Sequence, residues 1–177
     1  MKYLCVFCGS ASGHDRYASV ALELGQTIAG RGFGLVYGGA KVGLMGTVAD
    51  AARQAGAPTI GVIPGFLAGK EIAHEGLTEL HRVETMHQRK ALMADKSDAF
   101  VAMPGGLGTL DELFEILTWA QLGLHRKPVI LFNTFGFFDA LLTFLAHAEH
   151  EGLLRKEHRA ALLVAQTSGE VLDIAAL

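Results

Sequence analysis

Three observations predict a doubly wound α/β domain, Rossmann-like, with a mainly parallel sheet and helices on both faces. Strand-length runs are apolar throughout, helix-period segments separate them, and glycines gather just after the strands. The 177 residues fit one domain, 1–177, and at that size folding buries about 70% of the unfolded surface without metal or disulfide staples. In chain order, Tyr3–Cys8 reads as the first strand and Arg16–Ala29 as the helix after it. Gly34–Tyr37 and Leu44–Ala55 form the next strand–helix pair, and Thr59–Ile63 is a third strand. Thr78–Val83 is a weaker strand, because polar residues interrupt it, and Met86–Asp95 is a helix opened by Thr85. Ala99–Met103 leads through glycines into the helix Leu110–Leu122, where Trp119 is spaced to pack with Leu122. Val129–Phe132, helix Phe137–His150, a weak strand at Leu162–Ala165 and a terminal helix near Gly169–Ala176 complete the alternation. Strands buried on both faces and joined by helices leave little choice but parallel pairing.

Composition removes several functional classes. Half the residues are apolar and 19% charged, unlike a disordered chain. Fifteen basic against 18 acidic side chains give a net charge of −3 with no block of one sign, so no nucleic-acid surface is expected. No apolar run approaches the roughly 20 residues of a membrane span, and the first residues lack a signal-peptide cleavage pattern, so the expected location is cytoplasmic. Cys5 and Cys8 spell C-x-x-C, yet no second Cys/His pair accompanies them. Strand alternation points them to opposite faces, so buried reduced thiols are expected and no metal site. His147, Glu149 and His150 also lack a closing ligand and read as a solvated helix end.

In doubly wound sheets, ligands bind beyond the carboxyl ends of the strands where the order reverses. Glycine-bearing segments stand at such ends: Gly9-Ser10, Gly38-Gly39-Ala40, Ile63-Pro64-Gly65 and Pro104–Thr109. The stretch from Gly38 to Gly43 nearly spells a Walker A loop, but Leu44 and Met45 stand where its lysine and hydroxyl belong. A dinucleotide fingerprint fails on spacing and on the absent acidic ribose ligand. What remains is a cradle for a smaller phosphate, or glycines used only for tight packing. In Pro104-Gly105-Gly106-Leu107-Gly108-Thr109-Leu110-Asp111-Glu112, Thr109 can cap the helix with Glu112 completing a capping box. The same carboxylate, at a strand's carboxyl end, could instead meet a developing cation on a bound sugar. Thr85 and Gln88 form another possible capping box, which places Arg89 and Lys90 near a helix start. Cations there cost about 0.3–1 kcal/mol each against the helix dipole, unless a bound phosphate offsets it or the two are simply solvated.

Together these segments resemble the Lonely Guy family of phosphoribohydrolases, whose members were often labelled lysine decarboxylases. The signature P-G-G-x-G-T-x-x-E spans Pro104–Glu112, and M-H-x-R-K matches Met86–Lys90. The glycine loop runs from Gly38 to Gly46, with Ala40 in place of one glycine. Similar too are C-G-S at Cys8–Ser10, G-V-I-P at Gly61–Pro64, T-W-x-Q-L-G at Thr118–Gly123 and K-P-V at Lys127–Val129; the likeness weakens after about Leu154. The resemblance implies Arg89 and Glu112 as the catalytic pair. It implies a nucleotide site drawn from Gly9, Ser10, Gly39, Glu71, Arg89, Lys90, Gly105, Gly106, Leu107, Gly108, Thr109, Leu110, Asp111, Glu112 and Thr118. It further implies a homodimer with no metal or organic cofactor.

The reaction so implied is hydrolysis of the N-glycosidic bond of a purine riboside 5′-monophosphate to free base and ribose 5-phosphate. Glu112 would stabilise the oxocarbenium-like transition state, and the phosphate would be bound remotely to place the sugar. Two alternatives differ in class. A nucleotide-binding module without turnover would keep the phosphate loops but not depend on Glu112. A pyridoxal-phosphate decarboxylase would need a Schiff-base lysine, for which Lys90 and Lys96 are candidates in a polar helix.

Overall fold

The computed structural model describes residues 1–68 and 72–177. Its strands are β1 (Tyr3–Phe7), β2 (Gly34–Tyr37), β3 (Thr59–Pro64), β4 (Glu79–Val83), β5 (Ala99–Ala102), β6 (Val129–Phe132) and β7 (Leu162–Ala165). They form a seven-stranded parallel sheet in the order β4-β3-β2-β1-β5-β6-β7. The helices are α1 (Asp15–Gly30), α2 (Gly43–Gln54), α3 (Gly65–Ala68), α4 (Met86–Asp95), α5 (Leu107–Gln121), α6 (Asp139–His150), α7 (Lys156–Ala160) and α8 (Ser168–Ala175).

The pleat sends alternate residues to opposite faces, and both faces are covered. Leu4, Val6, Leu35, Tyr37, Val101 and Met103 pack against Leu24 and Ile28 of α1, Val48 of α2 and Leu172 of α8. Cys5, Phe7, Val36, Val62, Phe100 and Ala102 pack on the other side against Met93 of α4, Leu113 and Ile116 of α5 and Leu145 of α6. Burial of each large apolar side chain contributes about 1.5–3 kcal/mol, which explains why the central strands carry no polar alternation. β4 and β7 are the edges. With one strand neighbour each they admit polar or exposed residues, which is why their sequences read as weaker strands. Cys5 and Cys8 are free and buried, in the opposite cores. Among the described residues, no helix is long and apolar enough to cross a membrane.

Strand order reverses between β1 and β5, whose register sets Val6 beside Val101 and Phe7 beside Ala102. The loops leaving them touch: Gly9 N–H donates to the Pro104 carbonyl at 3.4 Å. The loop after β2 emerges next to β1, where Val6 is level with Tyr37. Three glycine segments therefore meet at one end of the sheet.

Helix boundaries differ from expectation in two informative places. α6 begins at Asp139 rather than Phe137, because Phe135 and Gly136 take positive φ of 54° and 67° and cannot continue into it. Asn133 pins this turn, its side chain accepting from Phe138 N–H (2.7 Å) and donating to Asp139 (2.8 Å). α5 begins at Leu107 rather than Leu110, with consequences for the site. The short α3 and α7 and a 3₁₀ turn at Thr134–Gly136 were not anticipated, since each is too brief to show a period.

Candidate active site

α5 starts directly after the β5 loop with Gly106 as N-cap, so no capping side chain is present there. The expected capping box at Thr109 is not formed. Thr109 is the third residue of the helix rather than its cap, and its buried hydroxyl packs against Gly105 instead. A Cβ at Gly105 would collide with Thr109 Oγ1, so the turn closes only with glycine. The first intrahelical bond is Leu110 N–H to Gly106 O (3.1 Å), which leaves the amides of Leu107, Gly108 and Thr109 without an acceptor inside the helix. Contrast α4 and α8, where Thr85 and Thr167 hydroxyls accept from Gln88 and Glu170 N–H. Open amides at a helix start attract an anion.

Arg89 is neither solvated nor balanced by the helix dipole. It is 5% exposed, one turn into α4, with its guanidinium directed at the ends of two strands. Nε donates to Val62 O of β3 (3.1 Å) and Nη2 to Gly38 O beyond β2 (2.8 Å). These carbonyls orient the charge and offset its desolvation. Among the described residues, Nη1 makes only a long contact to Met86 Sδ (3.9 Å) and is the nitrogen left to meet a ligand.

Glu112 lies on α5 at 8% exposure and lines the same cavity as Arg89. Both charges reach Cys8: its thiol is pushed up by burial and by Glu112, against a smaller opposing effect of Arg89. The cavity holds about 200 Å³ and is lined by both charges and by the start of α5.

Of the residues expected in the site, Gly9, Ser10, Arg89, Gly106, Leu107, Gly108, Thr109 and Glu112 line this cavity. Gly39 and Gly105 shape its loops without lining it. Leu110 packs toward the core. Lys90 stands aside, its ammonium bound to Asp111 (3.0 Å) and Glu115 (2.9 Å), a tie between α4 and α5. Burial alone would lower the pKa of Lys90; its hydrogen bonds to Glu115 and Asp111 outweigh this and raise the value. Thr118 sits on the exposed side of α5 with its hydroxyl donating to Phe114 O (2.7 Å). Glu71 lies outside the described residues. Cys8, Gly38, Met45 and Met86 also line the cavity and were not singled out as site residues. Gly38 stood among the strand-end glycines, position just after β1 could have flagged Cys8, and the i−3 spacing from Arg89 could have flagged Met86.

Gly38 yields a sharp expectation. A methyl there would collide with Arg89 Nη2 and approach Met45 Sδ to 3.0 Å. Gly38→Ala should fold, as judged by circular dichroism, yet lose about 100-fold in kcat/KM by displacing the guanidinium. Unchanged turnover would mean that this carbonyl does not orient Arg89.

Residues 45–175 match a family model described as "Possible lysine decarboxylase". A cytokinin riboside 5′-monophosphate phosphoribohydrolase of Rhodococcoides fascians is 50% identical over 165 residues, covering 92% of this chain and 83% of that one. A probable enzyme of the same name from Oryza sativa subsp. japonica is 52% identical over 159 residues, covering 89% and 70%. Among solved structures, the molybdenum cofactor binding protein from the phototrophic bacterium Rippkaea orientalis superposes with a TM-score of 0.74 at 23% identity, covering 99% and 95%, a likeness of fold alone. With half its residues shared along nearly its whole length, the chain belongs to the Lonely Guy family, that of the cytokinin riboside 5′-monophosphate phosphoribohydrolases.

Proposed function

We propose that this protein hydrolyses the N-glycosidic bond of purine riboside 5′-monophosphates, of cytokinin or plain adenine type, releasing the base and ribose 5-phosphate. The observation that carries this is the meeting of Arg89, Glu112 and the uncapped start of α5 in one cavity at the β1/β5 reversal. The α5 amides take the phosphate, which sets the ribose beside Glu112. As the bond between the anomeric carbon and the base nitrogen breaks, the Glu112 carboxylate stabilises the oxocarbenium-like charge. Water adds to that carbon and gives its proton to Glu112. Arg89 Nη1 donates a hydrogen bond to the departing base, which leaves with the bonding electron pair and takes a proton from solvent, while Glu112 returns the water's proton to solvent.

The family label of lysine decarboxylase finds no support in the site. Among the described residues no lysine lines the cavity; Lys90 is bound to two carboxylates and Lys96 to Glu79 at 3.4 Å. A homodimer and a cytoplasmic location belong to the same proposal. Leu107, Phe114 and Leu122 leave an apolar stripe along α5, exposed by 87%, 36% and 65%, and Thr118 lies within it. A second copy packed there would enclose Thr118, which its own subunit leaves open. Light scattering after gel filtration reads this state directly.

The deciding assay is base release from a panel of nucleoside 5′-monophosphates, with the matching nucleosides beside them. Charge-assisted hydrogen bonds contribute about 1.5–3 kcal/mol each, so losing two with the phosphate should cost adenosine about 10²–10⁴-fold in kcat/KM against AMP. Equal turnover of both would refute the phosphate placement, and binding of AMP without base release would favour a module without turnover.

A further inference from the structure

Outside the cavity, one buried polar group is fully engaged yet has no part in the chemistry above. His74 is 4% exposed and does not line the active-site cavity. Its Nδ1 accepts from Gly76 N–H (3.2 Å), so Nδ1 is unprotonated and Nε2 bears the hydrogen, which it donates to Asp50 Oδ1 at 3.2 Å. That same oxygen accepts from Arg53 Nη2 (3.3 Å), which fixes the carboxylate on α2.

The surrounding backbone explains what this bond secures. Segment 72–74 lies antiparallel to the glycine loop. Lys41 N–H donates to Ile72 O and His74 N–H to Gly39 O, both at 2.9 Å, with a bridge between Ala40 and Ala73. The next residue back, Gly38, gives its carbonyl to Arg89. This loop has few side chains of its own to hold it, and Gly39 adopts a positive φ of 76°. Its conformation is therefore set by what is stapled to it, and glycine backbone is otherwise the most mobile kind.

We propose that His74 is a positioning residue for Arg89: by bonding Asp50 it locks segment 72–76 onto the glycine loop and so fixes the Gly38 carbonyl that aims the guanidinium. His74 touches no substrate. The chain of contacts runs from Asp50 to the His74 ring, through its backbone to Gly39, and from Gly38 to Arg89. The kinetic part of this inference rests on the phosphoribohydrolase reading; the positioning part does not.

The test uses two readouts on the intact protein. The Arg89 Nε–H, buried against Val62 O, should give a slowly exchanging ¹⁵N–¹H signal, assigned by its absence from Arg89→Lys. In His74→Leu that signal should exchange about tenfold faster, and kcat for AMP should fall about tenfold with KM within about twofold, because orientation rather than binding is lost. His74→Gln, which can still donate to Asp50, should restore most of both. The proposal is overturned if His74→Leu leaves Arg89 exchange unchanged, whatever happens to kcat, or if His74→Gln rescues neither. Should His74→Leu fail to fold, Asp50→Leu removes the acceptor from a half-exposed position and must change the same two readouts. Faster Arg89 exchange in a protein that releases no base from any monophosphate would sink the function and leave the positioning role standing.

Discussion

Replacing Glu112 with Gln should lower kcat for base release about 10³-fold, the upper range for removing one preorganised electrostatic partner of a transition state. KM for AMP should change little, because on the proposed placement the start of α5, not this side chain, takes the phosphate. Thermal stability should stay near wild type. The amide has the same shape, and no capping box depends on Glu112, because α5 starts five residues earlier at Leu107 with Gly106 at the N-cap position. Had Thr109 and Glu112 formed a capping box, a lost turnover could have been blamed on a frayed helix. With glycine at the N-cap position and no capping side chain to lose, a large fall in kcat at constant melting temperature isolates charge. Retained turnover in Glu112→Gln would remove this carboxylate from the mechanism and with it the assignment of the cavity.

The elements that burial dictates were legible in the chain. Apolar runs such as Leu4–Phe7 and Ala99–Ala102 have no polar face, and only a sheet covered on both sides accommodates that. Glycines at strand ends likewise marked where the ligand loops converge. What escaped was anything decided by which distant backbone atom a side chain reaches. Arg89 near a helix start looked either solvated or phosphate-bound. Its true partners are carbonyls 27 and 51 residues earlier, brought together only by the neighbouring positions of β2 and β3. Lys90, adjacent in sequence and identical in charge, faces α5 instead and is spent on Asp111 and Glu115. The capping residue of α5 was misread for a related reason. A threonine followed three residues later by glutamate is a strong local pattern, but Gly106 can begin the helix earlier by conformation alone, and local pattern carries no record of that choice.

Arg89→Lys should be the complementary variant, costing both rate and stability where Glu112→Gln costs rate alone. Arginine presents a planar fork, and here two arms are committed to Val62 O and Gly38 O in a side chain that lines the cavity. An ammonium is a single point and cannot hold both carbonyls while reaching the cavity. One buried acceptor is left unmatched, a loss of about 1–3 kcal/mol. For a chain of this length each kcal/mol moves the melting temperature by roughly 2–4 °C, so a fall of a few degrees is expected in a thermal scan. With the donor misplaced, kcat should drop about 100-fold even though the positive charge is kept. Charge alone is thus separated from geometry. If Arg89→Lys turned over AMP within about tenfold of wild type, the departing base would need only a nearby cation, and the anchoring of the guanidinium by strand-end carbonyls would be a matter of folding rather than catalysis.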